Sequence, residues 1–212
     1  MSLDTLATNQ QERGGAVKGV ALALVTQNQD PEGLGRVKLR FPWHSEQAET
    51  DWVRIAVAMA GNERGSFCLP EVGDEVLVAF ERGDMTAPYV IGALWNGQDK
   101  PPANNDDGKN NLRMFKTRKG HTLTFDDDDA KGKIDLALAD GKHKLTIDDD
   151  GIKLEDGNGN SFVIESQAGN VTIEAKTKLT LKGQMVAIEA SGTMSIKASG
   201  TMTLQGAAIN IN

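Results

Sequence analysis

Gly192-Thr-Met-Ser-Ile-Lys-Ala-Ser199 is followed at once by Gly200-Thr-Met-Thr-Leu-Gln-Gly-Ala207, so an eight-residue phrase occurs twice in succession. Each copy holds two apolar residues separated by one polar residue, an alternation that is typical of β-strands. The pattern extends towards the N-terminus in steps of seven or eight residues, which predicts a repeat architecture. The apolar pairs are Val171/Ile173, Leu179/Leu181, Val186/Ile188, Met194/Ile196 and Met202/Leu204, and a last pair, Ile209/Ile211, follows them.

Each repeat has too few apolar side chains to offset the cost of ordering its backbone, so we do not expect the repeats to fold as a single chain. Fully burying an aliphatic side chain contributes about 1.5–3 kcal/mol, whereas ordering the backbone costs about 1–2 kcal/mol per residue. Single-chain β-helices generally need coils of about 20 residues to pass round three faces, so we expect three chains to supply one face each. The prediction is an intertwined homotrimeric, triple-stranded β-helix whose core holds the ten residues from Val171 to Leu204 named above. The alternative is an antiparallel meander in a monomeric sandwich.

The composition limits the partners of the chain. It has 212 residues, a net charge of −7 and one cysteine, Cys68. The negative charge argues against nucleic acid or an anionic membrane as a general partner, and one cysteine excludes an intrachain disulfide framework. No signal peptide and no transmembrane stretch is recognisable in the sequence. We therefore expect synthesis in the cytoplasm.

The first half of the chain has a different amino-acid composition. After a polar N-terminal arm at residues 1–17, residues 18–97 hold seven of the ten aromatic residues. Five short strands in about 80 residues predict an OB-type Greek-key barrel. In the third strand we expect Val53, Ile55, Val57 and Met59 to point inward. The five predicted strands are Val20–Val25, Val37–Phe41, Trp52–Ala60, Glu75–Phe80 and Pro88–Leu94.

A polar linker without periodicity at residues 98–111 separates the barrel from the second predicted domain, residues 112–212. That domain starts with wider, hairpin-like strands and narrows into the eight-residue repeats. The fold class predicted for the whole chain is all-β. The apolar runs that open the second domain are Met114–Phe125, Ile134/Leu136/Leu138, Leu145/Ile147, Ile152/Leu154 and Phe162–Ile164.

The candidate chemical motifs favour structural explanations. The acidic runs 126–129 and 148–150 lie where apolar runs stop, which favours solvated turns over a calcium or catalytic site. Residues 156–160 open like a calcium loop, but Ser161 and Gln167 replace the glycine and the bidentate glutamate that the loop requires. The three histidines have no partner at metal-ligand spacing. We expect no catalytic site, no metal and no cofactor.

The barrel offers candidate residues for two further functions. The carboxylates of Glu71, Glu75, Glu81 and Asp84 could pair for glycoside hydrolysis, but their sequence is typical of a turn that leads into a strand. An OB-type barrel could also bind single-stranded nucleic acid, and four basic residues share outward faces. They have no interleaved aromatic residues for base stacking, so a solvated or subunit-contacting face is favoured. These residues are Arg36, Lys38, Arg40 and Arg54.

Several segments together resemble one family. The chain is similar to the VgrG and phage baseplate spike proteins over roughly residues 18–212, and the segment Thr117–Asp126 resembles the entry into that family's trimeric β-helix. The segments that resemble the barrel domain are Asp30-Pro-Glu-Gly-Leu-Gly-Arg-Val-Lys-Leu-Arg-Phe-Pro-Trp43, Trp52-Val-Arg54, Leu69-Pro-Glu-Val-Gly-Asp-Glu-Val76, Gly83-Asp84 and Pro88-Tyr-Val-Ile-Gly-Ala-Leu-Trp-Asn96.

The resemblance implies a non-enzymatic, homotrimeric spike of a contractile injection machine, assembled into the baseplate and driven mechanically through a target envelope. It also implies a separate hub protein at the barrel end, because only 17 residues precede the barrel, and no wall-degrading domain, because the linker is short. No histidine follows His143, so we expect a PAAR-type tip protein to dock on Ile209, Asn210, Ile211 and Asn212. The alternative function is a trimeric receptor-binding fibre or polysaccharide-binding tailspike.

Overall fold

The computed structural model describes residues 17, 19–44 and 48–211, and these residues form an all-β protein. The chain divides into two compact units between Asp106 and Asp107. Apart from one 3₁₀ turn at Glu81–Gly83, the regular structure in the described ranges consists of β-strands. In those same ranges, no helix is long and apolar enough to cross a membrane.

The first unit contains a five-stranded sheet and a small hairpin. The sheet has the strand order β2-β1-β6-β7-β3, in which only β3 and β7 run parallel. Val37 and Val53 exchange two backbone hydrogen bonds of 2.7 and 3.0 Å, which join the two edges of this sheet into a barrel. The strands are β1 (Val20–Gln27), β2 (Lys38–Arg40), β3 (Arg54–Ile55), β4 (Ala60–Gly61), β5 (Arg64–Gly65), β6 (Glu75–Phe80) and β7 (Pro88–Ala93).

The barrel holds the buried core of the described chain. Alternation on β1 and β6 directs every second side chain inward, and the predicted inward face of Val37, Leu39 and Phe41 is confirmed because all three are buried. The Phe41 and Phe80 rings meet with centroids 5.7 Å apart. The core consists of Ala23, Val25, Val37, Leu39, Phe41, Val53, Val76, Val78, Phe80 and Val90.

The predicted strand Trp52–Ala60 is only partly correct. Its first part pairs with β7 at Arg54 and Ile55, and Val53 is buried as expected. The inward orientation predicted for Val57 and Met59 is wrong, because their side chains are 38% and 50% exposed. The physical reason is that the last backbone bond to β7 comes from the amide of Ala56, after which the chain enters the β4–β5 hairpin, so these residues no longer lie against the core.

The loop between β1 and β2 is held by one carboxylate. Asp30 accepts backbone N–H bonds from Glu32 and Leu34 and two bonds of 2.8 Å from the Arg36 guanidinium. The Asp30 side chain is only 3% exposed. The hydrogen bonds from Arg36 hold the pKa of Asp30 well below its usual range, against the opposing effect of burial. The Asp-Pro-Glu-Gly sequence signals a turn, but it does not reveal this clamp.

The Asp30 clamp predicts an acid-sensitive barrel. Because the pKa of Asp30 is lower in the folded chain, its contribution to stability is complete above the unfolded value of about 4 and is lost as the pH falls further. We expect Asp30→Asn to lower the melting temperature of the barrel at pH 7, and the difference from wild type to shrink below pH 4. Tryptophan fluorescence is a specific probe, since the chain's three tryptophans lie at 43, 52 and 95. A difference that stays constant down to pH 2.5 would refute the assignment.

The second unit contains one antiparallel sheet of seven strands in which each strand pairs with its neighbours along the chain. The strands predicted from the five apolar runs at 114–164 are confirmed, and the predicted run 114–125 is divided into two strands. The strands are β8 (Leu112–Lys116), β9 (Thr122–Asp126), β10 (Lys133–Ala137), β11 (Lys144–Asp148), β12 (Gly151–Glu155), β13 (Ser161–Glu165) and β14 (Asn170–Glu174).

Candidate functional site

Two rows of apolar side chains cross one face of the seven-stranded sheet, and we call this surface the apolar face. Alternation places every second residue of a strand on this face, and the pairing register aligns these residues from β8 to β14. One row consists of Phe125, Ile134, Ile147, Ile152, Ile164 and Val171. The other consists of Phe115, Leu123, Leu136, Leu145, Leu154, Phe162 and Ile173.

Much of the apolar face is open to solvent in the part of the chain that the structure describes. Leu136 is 54% exposed, Leu154 is 52% exposed and Phe115 is 71% exposed. All of the buried hydrophobic residues in the described ranges belong to the first unit. A sheet with one apolar face needs a second layer to bury it, so this surface is the strongest candidate for a binding interface.

The opposite face of the same sheet is polar and pairs its own charges. Asp135 accepts a hydrogen bond of 2.8 Å from Thr146 and forms ion pairs of 3.1 Å with Lys133 and Lys144. Burial raises the pKa of Asp135, but these bonds outweigh it and the pKa lies below its usual value. The contrast between the two faces indicates which one meets water and which one meets a partner.

Residues 175–211 differ from the sheet in their hydrogen bonding. Among the described residues, this segment contributes no strand or helix and takes part in none of the backbone–backbone hydrogen bonds. The amide of Lys176 donates to the Asn160 side chain at 3.0 Å. Backbone N–H and C=O groups require partners when they leave water, so a buried arrangement of this segment needs strands from elsewhere.

The residues predicted for the trimer core fall into two groups. Val171 and Ile173 lie in β14 and form the last members of the two apolar rows. The other eight lie beyond the sheet with side chains between 47% and 69% exposed, so their role stays a prediction. They are Leu179, Leu181, Val186, Ile188, Met194, Ile196, Met202 and Leu204.

The residues predicted to dock a tip protein also lie beyond the sheet. Ile209 is 51% exposed, Ile211 is 86% exposed, and Asn210 is exposed as well. Asn212 lies outside the described residues. Their docking role stays a prediction.

The acidic runs are turns, as the sequence predicts. Asp126 accepts from the amide of Asp128, and Asp148 accepts from the amides of Asp150 and Gly151, each within 3.2 Å. Such side-chain bonds to the following backbone are typical of Asx turns. Within the described ranges, no group of three or more His, Cys, Asp or Glu residues could hold a metal ion.

Two other turns at the sheet's edge follow the same rule. Hydrogen bonds from the backbone amides of Lys142 and His143 lower the pKa of Asp140 to about 2, and a smaller contribution comes from the His143 ring. The carboxylate of Asp156 accepts hydrogen bonds from the side chain and the backbone amide of Asn160. These two carboxylates therefore stabilise hairpin turns.

Comparison with known proteins places the barrel in context. Residues 21–95 match the family described as the type VI secretion system/phage-baseplate injector OB domain. Type VI secretion system spike protein VgrG3 of Vibrio cholerae is 33% identical over 123 residues, which cover 52% of this chain and 12% of that protein. Spike proteins VgrG2a and VgrG1a of Pseudomonas aeruginosa are 33% and 38% identical over 101 and 72 residues, or 44% and 32% of this chain. The chain spans about a tenth of the length of these relatives.

Proposed function

We propose that this chain, which belongs to the VgrG and phage-baseplate family through its injector OB domain at residues 21–95, is a structural spike of a contractile injection machine. Three copies wind into a needle that punctures a target envelope and carries a tip protein. The chain takes no part in catalysis. Its work is mechanical and depends on the stiffness of a closed, hydrogen-bonded β-structure.

The uncovered apolar face carries this proposal. Its two rows hold thirteen apolar side chains, and Phe115, Leu136, Leu154, Val171 and Ile173 are each more than half exposed. Self-association is the simplest way to cover so large a surface, because every copy brings the same apolar face.

The geometry of the rows supports three copies. The strands β9 to β14 each present two apolar residues on this face and β8 presents one, so one chain supplies a single layer, and three such layers close a prism around a narrow apolar axis. The aromatic residues of the rows, Phe115, Phe125 and Phe162, all lie in the seven-stranded sheet, and no aromatic residue follows Phe162, so the repeats from Leu179 onward offer only aliphatic and methionine side chains to a narrow axis. Strands from two neighbours then also supply hydrogen-bond partners for residues 175–211.

In this arrangement the barrel comprises residues 18–97. The linker comprises residues 98–111, and the needle comprises residues 112–212. The barrels contact a separate hub protein and orient the needle. At the far end, the exposed side chains of Ile209 and Ile211 offer an apolar surface to a PAAR-type tip protein. The assembled spike belongs to the baseplate of a phage tail, a phage-tail-like particle or a secretion system.

The test is cryo-electron microscopy of the particle assembled in the producing cell. We expect three copies of the chain on the axis of the tube, at its distal end, with the barrels towards the tube and the needle beyond them. Copies attached to peripheral fibres would contradict the proposal and favour a receptor-binding role. Binding of the purified chain to a glycan array would support that same alternative.

A further inference from the structure

Charged side chains alternate in sign from one repeat to the next. Glu174 directly follows the apolar pair of β14, and alternation directs its side chain away from the apolar face. The equivalent positions of the next three repeats, each directly after the apolar pair, hold Lys182, Glu189 and Lys197. We call these four side chains the charge ladder. Opposite charges stabilise neighbouring strands and like charges destabilise them, so the alternation indicates that successive repeats lie side by side.

The charge ladder has no ion-pair partner within one chain. All four side chains are exposed, and none of them forms an ion pair with any residue that the structure describes. The residue that lies beside Glu174 on β13 is Ser161, which carries no charge. The charges of the ladder are therefore available to another strand.

The first such strand has an open edge to join. β14 is the last strand of the seven-stranded sheet, and one of its edges has no neighbour in the described chain. The amide of Ser166 bonds to the carbonyl of Asp150, so the even-numbered residues of β13 bond to β12 and its odd-numbered residues bond to β14. The register then places the N–H and C=O groups of Val171 and Ile173 on the open edge of β14.

The positions of the charges indicate the direction of the added strand. Parallel pairing, with the apolar pairs of successive repeats side by side, places each charge of the ladder opposite the next one and gives three contacts between opposite charges. Antiparallel pairing also keeps the apolar pairs side by side, but it gives only the contact between Glu174 and Lys178, because the next two charges then lie opposite Met185 and Thr193. The charge ladder therefore favours parallel strands.

A parallel neighbour of β14 cannot come from the same chain at this point of the sequence. Only residues 175–177 separate Glu174 from Lys178, whereas a connection between parallel strands needs about a dozen residues or more. We propose that the strand beside β14 is residues 178–182 of the next copy in the trimer, and that each later repeat lies in the same parallel register beside the preceding repeat of a neighbouring copy. The inference rests on the proposed trimer and adds which repeats pair between copies.

Cross-linking of the full-length chain tests this register. In a variant with Glu174→Cys and Lys182→Cys, and with Cys68→Ser to remove the native thiol, the two new thiols lie on opposite residues of neighbouring strands. Such strands are about 4.8 Å apart, a spacing that a disulfide can span. Mild oxidation should link successive copies into covalent trimers on a non-reducing denaturing gel, with a yield that does not change on dilution. The matched control, Glu174→Cys with Lys178→Cys and Cys68→Ser, should stay unlinked.

Charge reversal provides a second measurement. Lys182→Glu places three like charges in succession along the ladder, so we expect the melting temperature of the trimer to fall and the loss to shrink at high salt. Reversing all four charges of the ladder restores the alternation and should restore the melting temperature. Equal losses in the two variants would contradict the charge ladder.

The cross-linking outcomes separate this register from the trimer itself. A trimer by light scattering whose copies are not linked in the Glu174→Cys/Lys182→Cys variant would overturn the register and leave the proposed spike in place. A disulfide in the control variant would overturn it as well, because it indicates antiparallel pairing. A folded monomer would overturn both proposals.

Discussion

Replacing Ile196 by Asp is expected to abolish the trimer. In the proposed needle, Ile196 of each copy points to the axis, so the substitution brings three carboxylates together in an apolar interior. Burying an unpaired charge costs several kcal/mol per ion in proteins, and threefold symmetry multiplies this cost. We expect the SDS-resistant trimer to disappear and the chain to aggregate or to elute as a monomer. Leu204→Asp should have the same effect one repeat further along.

The neighbouring position provides the control. Ser195 lies between Met194 and Ile196, so the alternation of the repeat places it on the outside of the needle. Ser195→Asp introduces the same charge one residue away and should leave the trimer intact. Equal losses in the two variants would contradict the assignment of inward and outward positions, and survival of the Ile196→Asp trimer would contradict the axial core.

Replacing Gly151 by Ala is expected to disrupt the pairing between β12 and β13. Gly151 is buried, with φ at 150°, and a Cβ atom there would lie 1.8 Å from the carbonyl oxygen of Ile164. No side-chain rotation relieves a clash with backbone, so β13 must move away and both apolar rows lose their alignment. We expect the melting temperature of the needle, followed by far-ultraviolet circular dichroism, to fall by more than about 10 °C.

Gly141 provides the matched control for this substitution. It also has a positive φ, of 67°, but no heavy atom lies within 4 Å of the position of its Cβ. Gly141→Ala therefore costs only the left-handed conformation, about 1–2 kcal/mol. A drop in melting temperature as large as that of Gly151→Ala would show that backbone strain, and not the approach of the Ile164 carbonyl, determines the effect.

The inward side of the barrel could be predicted because its alternation is strong. Val37, Leu39 and Phe41 alternate with charged residues, and burial follows this pattern. The exposure of Val20 and Leu22 on the outward side of β1 could not be predicted, since the run Val20–Val25 is apolar throughout and does not distinguish a strand buried on both faces from one with an uncovered face. Gly61 and Asn62 signal a turn, but no residue signals that both flanking strands leave the barrel.

The second unit shows which strands the alternation of apolar residues predicts and which it does not. Apolar pairs at 134–136, 145–147 and 152–154 identify the hairpins correctly, because neighbouring strands supply their hydrogen bonds within the chain. The pairs from Leu179 onward follow the same alternation, yet they form no strand in the described part of the chain. Alternation indicates which side chains share a face, whereas a strand also needs partners for its backbone, which the pattern does not identify.

Sedimentation velocity of the full-length chain at submicromolar concentration is the most direct test of the requirement for three copies. We predict a single species with three times the mass of the chain that persists on dilution, since the apolar faces and the backbone of residues 175–211 are completed only between copies. A monomer whose amide protons in that segment are protected from exchange would contradict this requirement, and the needle with it.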